Sequence, residues 1–382
     1  MAWIPGIVAL KPGAIAALWG LGAVLLSKRR PIPRPLMYMF GIVGVMAWNV
    51  PFAQNNYLAF IGFQRFTVLI LGCVLPLAVL PMSVASVRKL LYAYVFFHVP
   101  TAIHGIRHGG LGLQGWMGDE NDLALALNTA LGVATYLFFE SRRVRTKLFL
   151  GAAMLLFLLT IVATMSRGGF VGLVLLGLYL IVAGPFRFRV LVLALAAALA
   201  LVAFAPPSFW QEMGTISNAR EEGETGDARL YFWSIGWKMF LDHPVTGVGT
   251  NNYGIRAPQY EDPNRTGWNV HTWGRVSHSV YFTVLPEQGA IGTVLFLLVV
   301  AWCFKSGRTM TRRARENPDD ETALSVSLMS SGLMAATASF LATGFFLSVL
   351  YYPILWVLVA LMASLFSCDS GRDNTETTDA AT

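Results

Sequence analysis

Arginines and a histidine set beside short glycine-bearing turns are the residues of this chain best suited to chemistry on an anion. Ser166-Arg167-Gly168-Gly169 makes a tight polar break between the apolar runs Leu148 to Met165 and Gly168 to Gly184. A guanidinium fork there can grip phosphate oxygens bidentately, and the glycines let a headgroup approach closely. The alternative for Arg167 is a snorkelling side chain that only marks a membrane interface. His278 closes a long polar stretch just before Ser279-Val280-Tyr281. Its neutral imidazole, with an ordinary pKa of about 6.5, can accept a proton from an attacking hydroxyl. The alternative is a helix-terminal histidine bonded to backbone. If the segment after His278 is helical, Gly289 and Gly292 share its face and Glu287 lies near the opposite one, with Pro286 able to kink the helix. A carboxylate such as Glu287 within a membrane needs a partner.

Further arginines fall on the same side of the chain's topology: Arg65, Arg107, Arg220, Arg229, Arg256, Arg265 and Arg275. Asp119-Glu120-Asn121-Asp122 precedes an apolar run, where such side chains cap a helix N-terminus; Asp119 and Asn121 could equally contact sugar hydroxyls. Gly247-Val248-Gly249-Thr250-Asn251-Asn252-Tyr253 lacks the Lys-Ser/Thr of a phosphate-binding loop and reads as a turn lining the outer site. His243, His271 and His278 lack the close spacing of a metal-ligand set, so no metal site is expected. The three cysteines, Cys73, Cys303 and Cys368, lie in or beside apolar segments or in the tail, and suggest no disulfide framework.

What must position these groups is a membrane bundle. Of 382 residues, 55% are hydrophobic and 13% charged, more apolar surface than a soluble fold can hide. Apolar runs of about 17–25 residues between charged breaks predict an all-α polytopic integral membrane protein. About eleven transmembrane helices are expected, or twelve, beginning near Ile4, Pro35, Gln64, Ser86, Asn121, Leu148, Gly168, Val190, Ser279, Ala323 and Leu347. Lys28 to Arg34, Arg88 with Lys89, Arg142 to Lys147, Arg187 with Arg189, and Lys305 to Arg315 occupy alternate linkers and mark the cytoplasmic side. This use of basic residues, rather than nucleic-acid binding, accounts for the net charge of +7. The organisation is then an N-terminal bundle of about eight spans over 1–205, a periplasmic loop over 206–278, about three C-terminal spans over 279–366, and a disordered cytoplasmic tail over 367–382. Within the loop, Asp227 to Leu241 has amphipathic spacing, predicting a helix at the membrane surface.

Three stretches together resemble the O-antigen ligase and polymerase superfamily. They are Ser166-Arg167-Gly168-Gly169; Arg229, Trp233, Phe240, His243-Pro244, Gly247-Val248-Gly249 and Tyr253; and His278-Ser279, Glu287, Gly289 and Gly292. The resemblance runs from Asp119 to Gly292 and implies a metal-independent, inverting glycosyltransferase of the bacterial inner membrane, with its site on the periplasmic face. It implies Arg167 and Arg229, with Arg65 beside them, as donor pyrophosphate grips and His278 as the catalytic base. Asp119, Asn121, Asn252, Tyr253 and Glu287 are weaker glycan or acceptor contacts. The implied partners are an undecaprenyl-pyrophosphate-linked glycan donor, a lipid, glycan or protein acceptor, and the bilayer, with no cofactor. Ligase, polymerase and protein O-oligosaccharyltransferase activities share this donor chemistry. A polysaccharide or lipid transporter is the alternative from another class, and would place ionisable groups near the midplane.

Overall fold

The computed structural model describes residues 12–113, 117–184, 187–215, 225–265 and 271–379. Among these every regular element is helical, the arrangement in which an apolar chain satisfies its backbone without water. In chain order the helices are α1 (Pro12–Leu26), α2 (Arg34–Asn49), α3 (Asn56–Leu69), α4 (Val84–Arg107), α5 (Glu120–Glu140), α6 (Val144–Ala163), α7 (Arg167–Ala183) and α8 (Arg187–Phe204). They continue with α9 (Pro207–Gly214), α10 (Thr225–Asp242), α11 (Tyr253–Arg256), α12 (Tyr281–Glu316), α13 (Glu321–Gly344) and α14 (Pro353–Asp379). A π turn over Ile70–Val74 carries α3 on into a short helix, Leu75–Val79.

Among the described residues seven helices are long and apolar enough to cross a membrane, or eight if the bent pair α8–α9 is one span. Helices α1 and α7 are apolar but shorter. Helices α1, α4 and α7, at three of the expected positions, are shorter or more polar than these seven. The expected start near Ile4 lies outside the described residues. The chain is a multi-pass membrane protein.

Helices α5 and α13 form the axis of the bundle. Buried residues make up 89% of the apolar stretch of α5 but only 28% of that of α6, so α6 belongs to the rim. Small residues allow the central contact: a Cβ on Gly132 would lie 3.0 Å from the Ala336 backbone nitrogen. With no hydrophobic drive between helices in lipid, such close backbone approach is what holds them.

The basic linkers gather at one end. The Arg30 N–H donates to Val79 O at 2.8 Å, Arg142 pairs with Glu321 at 2.9 Å, and Arg88 donates to Ser325 Oγ at 2.8 Å while Ser325 Oγ donates to Glu140 at 2.7 Å. The opposite end carries residues 246–253, the 164–166 turn, α9, α10 and the α13–α14 turn, tied by contacts such as Asn49 Nδ2 to Thr246 O at 2.6 Å.

Other expectations need correction. Helix α3 begins at Asn56, not near Gln64, so Arg65 sits well inside it instead of at its outer start. The segment 206–278 is expected to contain short amphipathic helices, and its described parts include α9, α10 and α11, of which α9 had no expected position. The tail does not become irregular at residue 367: α14 runs to Asp379, and Cys368 and Asp369 are buried, with Arg313 paired to Asp369 at 2.6 Å.

Candidate active site

The site is built where the starts of α5, α7 and α12 meet α9 and α10. Met165, in the left-handed region at φ 52°, turns the chain sharply out of α6 into α7. Ser166 then caps α7 by accepting from the Gly169 N–H at 2.9 Å, and its own hydroxyl donates to Asn121 Oδ1 at 2.7 Å. Asn121 therefore holds the turn that carries Arg167, and Asp119 caps α5 by accepting from the Asp122 N–H at 2.7 Å. Arg167, at the first position of α7, adds its charge to the positive end of the helix dipole. Its Nη1 donates to Thr215 Oγ1 at 2.7 Å, and its Nε lies 3.3 Å from Glu212 Oε1.

Arg229 stands across from Arg167 on α10. Its guanidinium lies over the Phe346 ring, 5.7 Å from the centroid, and finds no carboxylate among the described residues. Burial, and then the charge of Arg167, lower its pKa, so the two guanidiniums are close enough to repel. Phe346 also packs against the start of α7: a Cβ on Gly168, next to Arg167, would meet its side chain at 3.1 Å. Two cations held close together by packing suit the binding of an anion that can reach both.

His278 is held beside Arg229 by a clamped turn. The Trp233 Nε1–H of α10 donates to Ser277 O at 3.0 Å, and the Val280 N–H donates to Gly344 O at 2.8 Å. Ser277 Oγ lies 2.9 Å from Thr283 Oγ1 and 3.2 Å from Ser348 Oγ. The Trp233 ring stacks on Phe282 at 5.3 Å, with Phe345 edge-on to it at 5.1 Å. Between these fixed neighbours His278 adopts φ 51°, a strained conformation for a side chain of its size. Its ring is half-buried, 6.2 Å from Phe232. Burial lowers its pKa first; Arg229 and Arg275 lower it further, while Asp119 opposes them. The histidine is thus neutral at neutral pH, the form that can accept a proton.

This geometry corrects one expectation about the helix after His278. The helix begins at Tyr281, and Gly289 breaks it at φ 61°, ψ −164°, so His278, Gly289 and Gly292 share no helical face. The break is where residues 244–249 insert. The Ala290 and Ile291 N–H groups donate to Pro244 O at 2.8 Å and Val245 O at 3.2 Å, while Pro286 O and Glu287 O accept from Val248 at 2.8 Å and Gly249 at 3.1 Å. Glu287 is buried and accepts from the Asn251 N–H at 3.0 Å, the Tyr253 N–H at 3.2 Å and the Tyr351 hydroxyl at 2.7 Å.

Arg167, Arg229 and His278 are therefore brought together, with Asp119 and Asn121 at the margin. Asn252 and Tyr253 are not turned to the site. Buried Asn252 bonds the backbone of Asn55 at 2.8 Å and 3.2 Å, and the Tyr253 hydroxyl donates to Phe232 O at 2.6 Å. Arg65 is exposed on α3 and has no bonded contact to Arg167, Arg229 or His278. His243 accepts from Arg256 at 2.9 Å, and no group of three or more His, Cys, Asp and Glu able to hold a metal occurs among the described residues. Arg220 lies outside the described residues. Glu212, Thr215, Phe345 and Phe346 were missed. Pro206-Pro207 before Ser208-Phe209-Trp210 is the signal that could have revealed α9, since proline favours the first turn of a helix.

Residues 125–297 match the family model described as O-antigen ligase, a region that contains Arg167, Arg229 and His278. The match supports the O-antigen ligase superfamily and a ligase-like membrane glycan transferase. No curated protein matches the chain.

Proposed function

We propose that this O-antigen ligase-like membrane protein transfers a glycan from a polyprenyl pyrophosphate, undecaprenyl in bacteria, to an acceptor hydroxyl. The transfer takes place at the periplasmic face of the inner membrane. The observation that carries the proposal is the convergence of two arginines and a neutral histidine at the end of the bundle away from the basic linkers. Basic linkers favour the cytoplasmic side, so the opposite end faces the periplasm. Arg167 and Arg229 hold the pyrophosphate. His278 takes the proton from the acceptor O–H as that oxygen bonds to the anomeric carbon. The bond from that carbon to the phosphate oxygen breaks with its electron pair going to the pyrophosphate, on the face opposite the attack, so the configuration inverts. Fixed cations stabilise the charge developing on the leaving group in a site of low dielectric, and these steps call for no nucleotide or metal. The acceptor is a lipid-anchored saccharide in a ligase, the growing glycan in a polymerase, or a protein hydroxyl in an oligosaccharyltransferase.

A transporter would need free ionisable groups deep in the bundle. Glu287, the residue best placed for that, spends its carboxylate on Asn251, Tyr253 and Tyr351, which favours the enzyme.

The test is transfer from purified lipid-linked glycan in proteoliposomes. Arg167→Ala is expected to lose about 10²–10³-fold in rate, the weight of one preorganised charge at a developing anion. His278→Ala is expected to lose about 10²–10⁴-fold. Both variants insert and elute as the parent does. Full transfer by both would end the proposal.

A further inference from the structure

Two of the described groups that hold Arg167 are of unlike character, and both lie on or just after α9. Thr215 is a permanent partner. Its hydroxyl donates to Glu212 O at 2.7 Å, which leaves its oxygen to accept from Arg167 at 2.7 Å. Glu212 is different. Its carboxylate lies 3.3 Å from Arg167 Nε, longer than the roughly 2.7–2.9 Å of a strong charge-assisted bond. Its side chain is 44% exposed while that of Arg167 is 16% exposed. The guanidinium is enclosed and the carboxylate is wet, so Glu212 can leave by rotating its own side chain. The helix beneath it stays in place, because buried Phe209 packs edge-on against Phe170 of α7 with ring centroids 5.6 Å apart.

We infer that Glu212 is a displaceable counter-ion: it neutralises Arg167 while no donor is bound and must yield when an anion takes its place. Every entering anion then bears the same cost. A single phosphodiester brings no more charge than the carboxylate it displaces, and gains little. A pyrophosphate diester brings twice that charge on oxygens that can reach both Arg167 and Arg229, which has no carboxylate of its own among the described residues. Glu212 thus sets a threshold that either anion must overcome, and the second cation, Arg229, is what lets a pyrophosphate-linked donor clear it where a monophosphate-linked one gains little; in this the counter-ion role rests on the pyrophosphate reading of the site.

The experiment titrates the full-length protein in detergent with inorganic pyrophosphate and inorganic phosphate by calorimetry, alongside the transfer assay. Glu212→Gln is expected to tighten both anions by about fivefold, the upper weight of a partly exposed ion pair; Glu212→Ala should shift them in the same direction. Thr215→Val, which removes the fixed partner, is expected to weaken both. Arg229→Gln should weaken pyrophosphate far more than phosphate. Unchanged or weaker binding in both Glu212 variants, or no binding of either anion by the parent, would overturn the counter-ion role. Parent protein that transfers glycan while the Glu212 variants bind as the parent does would leave the transferase standing and the counter-ion role refuted. Tighter anion binding in protein that transfers nothing would do the reverse.

Discussion

At the scale of single residues the site is defined by charges held close to one another. Burial, Arg229 and Arg275 all disfavour protonated His278, and Asp119 favours it. If His278 takes the acceptor's proton as proposed, the neutral imidazole is the working form and activity should fall as pH drops through its pKa, which lies below the ordinary histidine value. The acid limb of kcat/KM therefore lies below the range of an unperturbed histidine. Arg275→Gln removes a repelling charge, raises the pKa and moves the limb to higher pH. Asp119→Asn, which can still cap α5, removes an attracting charge and moves it to lower pH. A pH profile for each variant checks the signs; limbs that coincide in all three proteins would detach His278 from proton transfer. Arg167 and His278 were legible in the sequence because each stands at a polar break beside an apolar run. Glu212 and Thr215 were not, because their role exists only where α9 folds back onto α7, and no local pattern records that contact.

At the scale of elements, the packing of residues 244–253 against α12 decides how the site is held. Helix α12 gives up regular hydrogen bonding at Gly289, and the inserted segment supplies replacement partners on both sides of the break. Glu287 pins the far end of that segment through two backbone N–H groups and the Tyr351 hydroxyl. Glu287→Leu would strand these buried donors at about 1–3 kcal/mol each, for a loss of about 3 kcal/mol or more. Glu287→Gln should cost less, since its amide oxygen still accepts and the tyrosine hydroxyl can turn to accept from its NH2. Unfolding midpoints in one detergent measure the order; a leucine variant as stable as the parent would show that the carboxylate is not the anchor. Apolar run length made most helices visible in the sequence, and the spacing of Asp227 to Leu241 anticipated α10. Its buried stripe of Ala228, Tyr231, Phe232, Ile235 and Met239 packs on Val248, Tyr253 and Ala257. The break at Gly289 stayed hidden because an isolated glycine reads the same in a helix as in a kink. What decides between them is a segment some 40 residues earlier that takes over the backbone bonds.

At the scale of the whole molecule, function depends on which side of the membrane each end faces. The linkers at 28–34, 88–89, 142–147, 187–189 and 305–315 concentrate the Lys and Arg residues at one end, and Arg142–Glu321 and Arg30–Val79 show these linkers meeting there. Arg167, Arg229 and His278 stand at the other end. Retention of basic linkers in the cytoplasm would therefore put the site outside, where the proposed lipid-linked pyrophosphate donor would have to be presented. Single cysteines test this directly. Cys303 and Cys368 are buried and Cys73 is partly so, and all three can be changed to serine to give a silent background. Asn264→Cys then adds an exposed thiol at the site end and Arg145→Cys one at the basic end. A membrane-impermeant maleimide applied to intact spheroplasts should label the thiol at position 264, and label the one at position 145 only after lysis. The reverse pattern would place Arg167 and His278 in the cytoplasm, and a periplasmic glycan transfer would then be ruled out, however well the residues converge.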